Sequence, residues 1–211
     1  MGQLNKIKEY FIDWLLKKSN LIARIEELKN KEHSDNNKNK ITGQFVTLYP
    51  ESVIHNTQNN PDNIRIGEST HIRGELLIFP YGGKINIGSN SYIGAGSRIW
   101  SGEEINIGNN VLIGHNVNII DFSHERNHVE RANGFKNLVT YGHPKEKGKI
   151  PTNPIKIEDD VAIYAGANII MGVTIGKGSV ISAGSVVIKN VPPFSLVLGN
   201  PGKVVWKIKQ H

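Results

Sequence analysis

An aliphatic residue returns every six positions along most of this chain, and few folds accommodate that spacing. Ile87, Ile93 and Ile99 mark one run, Ile107, Ile113 and Ile119 a second, and Ile157, Ile163, Ile169, Ile175, Ile181 and Val187 a third. Four residues after most of them stands a small or β-branched side chain, as at Ser91, Ser97, Val111, Val117, Val161, Ala167, Val173, Ser179 and Ser185. An amphipathic helix repeats at about 3.6 residues and a strand at about 2, so neither gives this beat. A short extended segment followed by a tight turn does. Three such units close a triangular coil of about 18 residues, and stacked coils bury the aliphatic side chains in one continuous core. Gly, Asn and Asp crowd the intervening positions because sharp corners need backbone angles that other residues adopt poorly. The chain reads as an all-β solenoid.

The beat divides the sequence. Residues 1–41 precede it: a helix to about residue 30, with Leu4, Ile7, Phe11, Trp14, Leu21, Ile25 and Leu28 on one stripe, then a polar linker. That stripe must bury itself, on the solenoid or on another subunit; a weak membrane-surface contact through Lys6, Lys8, Lys17, Lys18 and Arg24 is the alternative. Residues 42–198 form the solenoid, with an imperfect capping coil at the start. Within it, residues 125–153 keep no beat and read as a long inserted loop, the kind of interruption that carries function in a repeat protein. Residues 199–211 are a turn and a basic tail.

Composition narrows the chemistry. With no Cys there is no disulfide, thiolate metal site or cysteine nucleophile. No 18-residue apolar stretch reads as membrane-spanning and no signal-peptide pattern opens the chain, so a cytoplasmic location is expected. The net charge of +6 suits an anionic ligand. The basic residues are dispersed and lack interleaved aromatic side chains, which argues against nucleic acid.

Several residues stand where chemistry is expected. His124 ends the hexapeptide Ile119-Ile-Asp-Phe-Ser-His and opens the long loop, which places an imidazole at a coil corner. Asp121, three residues earlier, is positioned either to orient that ring or to cap the turn; His128 is a reserve base in the same loop. Ala165-Gly166 and Ala183-Gly184 are 18 residues apart and stack one coil above the other. Missing side chains on adjacent coils leave a shallow channel with exposed backbone amides, suited to an extended ligand that carries amide groups.

The six-residue pattern, the loop entered through His124 and the ending Val191-Pro192-Pro193 … Gly199-Asn200-Pro201-Gly202-Lys203-Val204 resemble the hexapeptide-repeat acyltransferases. The likeness covers about residues 64 to 208 and points to the galactoside and maltose O-acetyltransferase branch and its relatives in polysaccharide biosynthesis. The resemblance implies a left-handed parallel β-helix, a homotrimer with active sites between subunits, acetyl-CoA as donor, a sugar acceptor and no metal. It implies His124 as general base, with Ala165, Gly166, Ala183 and Gly184 along the CoA groove and Lys189 and Lys203 toward the CoA phosphates. Acceptor recognition does not carry over: Gly94 and Gly102 stand where that branch holds its sugar with Asn and Asp, and Ala162 where it has an aromatic. Arg98, Trp100 and Glu103 are the candidates in their place. Three alternatives stay open: an N-acetyltransferase of an amino sugar, a γ-carbonic-anhydrase-like metal site drawing on His115, His124 and His128, and a non-catalytic scaffold.

Overall fold

A computed structural model describes residues 43–124 and 126–209. The expected N-terminal helix and its linker, residues 1–41, lie outside these residues. The described chain winds into three sheets that form the faces of a prism. One face carries Val53–Asn56, Glu75–Ile78, Arg98–Ser101, Asn118–Ile120, Asn168–Ile170 and Val186–Val187; we call it the front. The second is built from Ile64–Ile66, Ile85–Ile87, Ile105–Ile107, Ile155–Ile157 and Thr174–Ile175. The third begins with Thr47–Leu48, continues through the remaining short strands and ends with Ser195–Leu198 and Lys203–Lys207. Pairing between named strands is parallel except for this last pair, an antiparallel hairpin that closes the C-terminal end. The arrangement fits the left-handed parallel β-helix expected.

The six-residue beat becomes vertical ladders. Ile93, Ile113, Ile163, Ile181 and Val197 pair in one register line, and none is more than 1% exposed. Each fully buried aliphatic side chain contributes about 1.5–3 kcal/mol of transfer free energy, so the ladders supply the main cohesion between coils. The small residues of the beat also lie inside. The Ser97 hydroxyl donates to Gly114 O (2.7 Å) and accepts from Val117 N (3.0 Å), so a buried polar atom ties one coil to the next without an unmet group. At one corner, Asn90, Asn110 and Asp160 all take positive φ, a conformation that short polar side chains tolerate.

The beat breaks repeatedly at one place, the edge after the front face. Paired residues are 21 apart between Ile64 and Ile85, 20 between Ile85 and Ile105, 50 between Ile105 and Ile155, and 18 between Lys156 and Thr174. The extra residues therefore stack on one edge, at 79–84, at 102–104 and in the long insertion after Asp121. That insertion is more than the loop expected. It contains a helix, α1 (His128–Tyr141), which the sequence reading missed. The Asn127 side chain starts it by accepting from Val129 N and Glu130 N, and Gly142 at φ +80° ends it with its N–H on Leu138 O. No residue of α1 is buried, so its caps rather than a core define where it starts and stops.

Candidate active site

The insertion leaves the prism through a narrow neck. Ser123 N donates to Pro151 O (2.9 Å), Asn153 N to Asp121 O (2.8 Å), and Phe122 faces Thr152 in an antiparallel bridge. His124 is the first residue beyond this neck. It is exposed, and its ring meets Phe135 of α1 edge-on at 5.0 Å.

Asp121 does not orient His124. It is fully buried, and its carboxylate accepts from the Ser101 hydroxyl (2.7 Å), Gly102 N (2.7 Å) and Glu103 N (3.1 Å) of the preceding coil. The expectation that this carboxylate acts on the imidazole is thereby corrected: at the third position before His124 the corner turns the side chain inward, where backbone donors await it. Burial pushes its carboxyl above the usual range, and these hydrogen bonds oppose that rise.

A cavity of about 240 Å³ opens beside His124. Its walls include Phe79, Tyr81 and Trp100 from lower coils, Phe122 from the neck and Phe135 from α1. Phe79, only 3% exposed, is the hub, with Phe122 edge-on at 4.6 Å and His143 at 5.2 Å. Of the three expected acceptor residues only Trp100 lines this cavity. Arg98 lies over the Trp100 ring at 5.8 Å, on the outer side of the front face, with Glu75 at 3.9 Å. Glu103 accepts from the Thr152 hydroxyl and faces Lys147 Nζ at 3.6 Å, so it fastens the insertion instead. His128 opens α1 and is not among the cavity residues. The sequence reading missed Phe79, Tyr81, Phe122, Phe135 and His143. The available signal was the lengthened spacing after Ile78, which falls on the same edge as His124.

The expected donor residues other than Lys189 gather on the other edge of the front face. Gly166 N donates to His115 O and Gly184 N to Ala165 O, both at 2.9 Å, so the Ala-Gly corners stack as the 18-residue spacing requires. Ala165, Ala183 and Gly184 are exposed, and a Cβ at Gly184 would meet nothing within 4 Å. The turn leading into Lys203 joins this edge, since Gly202 N donates to Val186 O (2.7 Å) and Val186 N to Gly199 O (3.0 Å). Lys189 follows Val186–Val187 and so stands on the edge of His124. One chain thus holds His124 and the Ala-Gly column on opposite edges of a single sheet. Among the described residues, no three His, Cys, Asp or Glu side chains converge as a metal site.

Residues 154–189 match the family described as the hexapeptide repeat of succinyl-transferase. The chain is 49% identical over 72 residues to a serine acetyltransferase of Bacillus subtilis, which covers 34% of this chain and 31% of that protein. A putative acetyltransferase of Staphylococcus aureus is 48% identical over 66 residues, 31% of this chain and 33% of that protein. These matches span only about a third of the relatives' lengths. Among solved structures, a maltose O-acetyltransferase from Clostridium difficile 630 is 26% identical with a TM-score of 0.54, covering 82% of this chain and 73% of that one.

Proposed function

We propose that this hexapeptide-repeat chain is an acetyl-CoA-dependent O-acetyltransferase acting on a hydroxyl of a sugar or saccharide unit. The observation that carries this reading is His124, an exposed imidazole at the outlet of a braced neck and at the wall of a ring-sized cavity. The match to acetyltransferases supports the reaction class, and the likeness to a maltose O-acetyltransferase supports a sugar acceptor. In this reading neutral His124 takes the proton of the acceptor hydroxyl as its oxygen attacks the thioester carbonyl of acetyl-CoA. The tetrahedral oxyanion collapses, the C–S bond breaks, and the imidazolium returns its proton to the departing thiolate. Transfer is direct, so the chain needs no acyl-enzyme.

His124 and the Ala-Gly column stand on opposite edges of one face. A complete site therefore takes His124 from one chain and the column from its neighbour, and we infer a homotrimer. A line of outward side chains supports packing there: Leu77, Trp100, Ile120 and Ile170 pair in register down the front face, and Ile170 is 37% exposed.

The test is calorimetric titration with acetyl-CoA followed by thiol release in the presence of sugar acceptors, for the native chain and for His124→Ala. The expected result is equal acetyl-CoA affinity in both and transfer slower by about 100-fold or more in the variant. An acetylated product that hydroxylamine cleaves identifies an ester. Absence of acetyl-CoA binding, or full activity in His124→Ala, rejects the assignment.

A further inference from the structure

Tyr81 belongs to the detour at residues 79–84, one of the extra segments stacked below His124. Its ring stacks on Phe79 at 5.2 Å with 15° between the planes, so the phenol is held from behind by the cluster's hub. On another side lies Gly102, where an added Cβ would stand 3.1 Å from Tyr81 Cε2 and 3.3 Å from its hydroxyl oxygen. The missing side chain at 102 is what gives the phenol room. Tyr81 is half-buried and lines the same cavity as His124. Among the described residues its hydroxyl has no hydrogen-bond partner. The contrast with Trp100 is informative: its indole N–H also lacks a partner but is sealed from solvent, and so is closed to a ligand in this arrangement. Burial, and secondly the nearby Asp121 carboxylate, push the Tyr81 hydroxyl up to about 12, which keeps it protonated wherever a neutral imidazole operates.

A held, protonated donor with no partner among the described residues, in a cavity walled by Phe79, Trp100, Phe122 and Phe135 and edged by Glu130 and Arg131, calls for a ligand with an apolar face and an oxygen at its edge. A pyranose has both. The cavity, at about 240 Å³, lies below the range of roughly 300–1,000 Å³ usual for larger ligands, which suits one sugar ring. We propose that Tyr81 is an acceptor-binding residue whose O–H donates to an oxygen of a single sugar ring seated between the aromatic walls and His124. This deepens the acetyltransferase reading and rests on it for the role of His124.

The test uses the full chain and three probes: the methyl glycosides of glucose, galactose and N-acetylglucosamine. Saturation-transfer NMR reads their binding whether or not acetyl transfer occurs. Tyr81→Phe keeps the ring and its stacking on Phe79 and removes only the hydroxyl. At least one probe is expected to bind the native chain and to bind Tyr81→Phe about five- to tenfold more weakly, with acetyl-CoA affinity unchanged. Equal sugar affinity in the two proteins overturns the proposal, as does failure of all three probes to bind. Tyr81-dependent sugar binding without acetyl transfer would reject the transferase reading and uphold the acceptor site.

Discussion

Asp121 has no solvent exposure, yet its carboxylate holds a hydroxyl and two backbone N–H groups of the coil beneath. This fastening sits three residues before His124 and fixes where the neck begins. Its titration gives a test with a definite sign. Because burial raises the carboxyl above its ordinary range in the fold, the folded chain binds this proton more readily than the unfolded chain. The group's contribution to stability is then full below the unfolded carboxyl value of about 4 and is lost as pH rises through the folded value. Asp121→Asn does not titrate. The unfolding free energy of the native chain, taken relative to Asp121→Asn, is expected to fall as pH rises from about 4 through that window, measured by urea unfolding at each pH. A difference that rises with pH would mean that the three hydrogen bonds outweigh burial.

The insertion is the element whose role separates from the fold. Its helix α1 buries no side chain, and its ion pair Lys149–Glu130 is solvent-exposed, a class of contact worth about 0–1 kcal/mol. The neck, by contrast, belongs to the prism, through Ser123–Pro151 and Asn153–Asp121. Replacing residues 126–149 by a short Gly-Ser linker is therefore expected to leave the β-helix folded, with a melting temperature within about 5 °C of the native chain. Acetyl-CoA binding should persist and sugar transfer should be lost, because Phe135 and the outer cavity wall leave with α1. A collapse of the β-sheet circular dichroism signal would show instead that the insertion holds the coils together. The same division explains what could be read from the sequence. The ladders follow from the six-residue beat because every coil repeats one packing environment, and Ala165 and Ala183 stack because 18 residues return the chain to the same corner. The helix α1 escaped because its caps, Asn127 and Gly142, flank a segment without an apolar stripe of helical period. Tyr81 escaped because its place depends on two detours meeting on one edge, and spacing along a single detour does not show that. The inward turn of Asp121 likewise depends on donors from another coil.

At the scale of the whole molecule, the separation of His124 from the Ala-Gly column decides what the smallest active unit is. If one site draws on two chains, two differently damaged chains can repair each other. In the proposed mechanism His124→Ala lacks the base but keeps the column. Ala183→Trp keeps the base and places a large side chain across the column, at an exposed position on the outer surface of its corner. Each variant alone should form trimers, about 70 kDa for three chains of 23.4 kDa, and neither should transfer acetyl groups. After co-refolding at equal amounts, a site is intact only where the base comes from an Ala183→Trp chain and the column from a His124→Ala neighbour. Random assembly puts about a quarter of interfaces in that state, so about a quarter of native activity should return. If base and column within one chain served the same site, every chain in the mixture would carry one lesion and no activity would return. Recovery therefore measures the geometry directly: it requires that the two edges of the front face, held apart by a strand in each chain, meet across a subunit boundary.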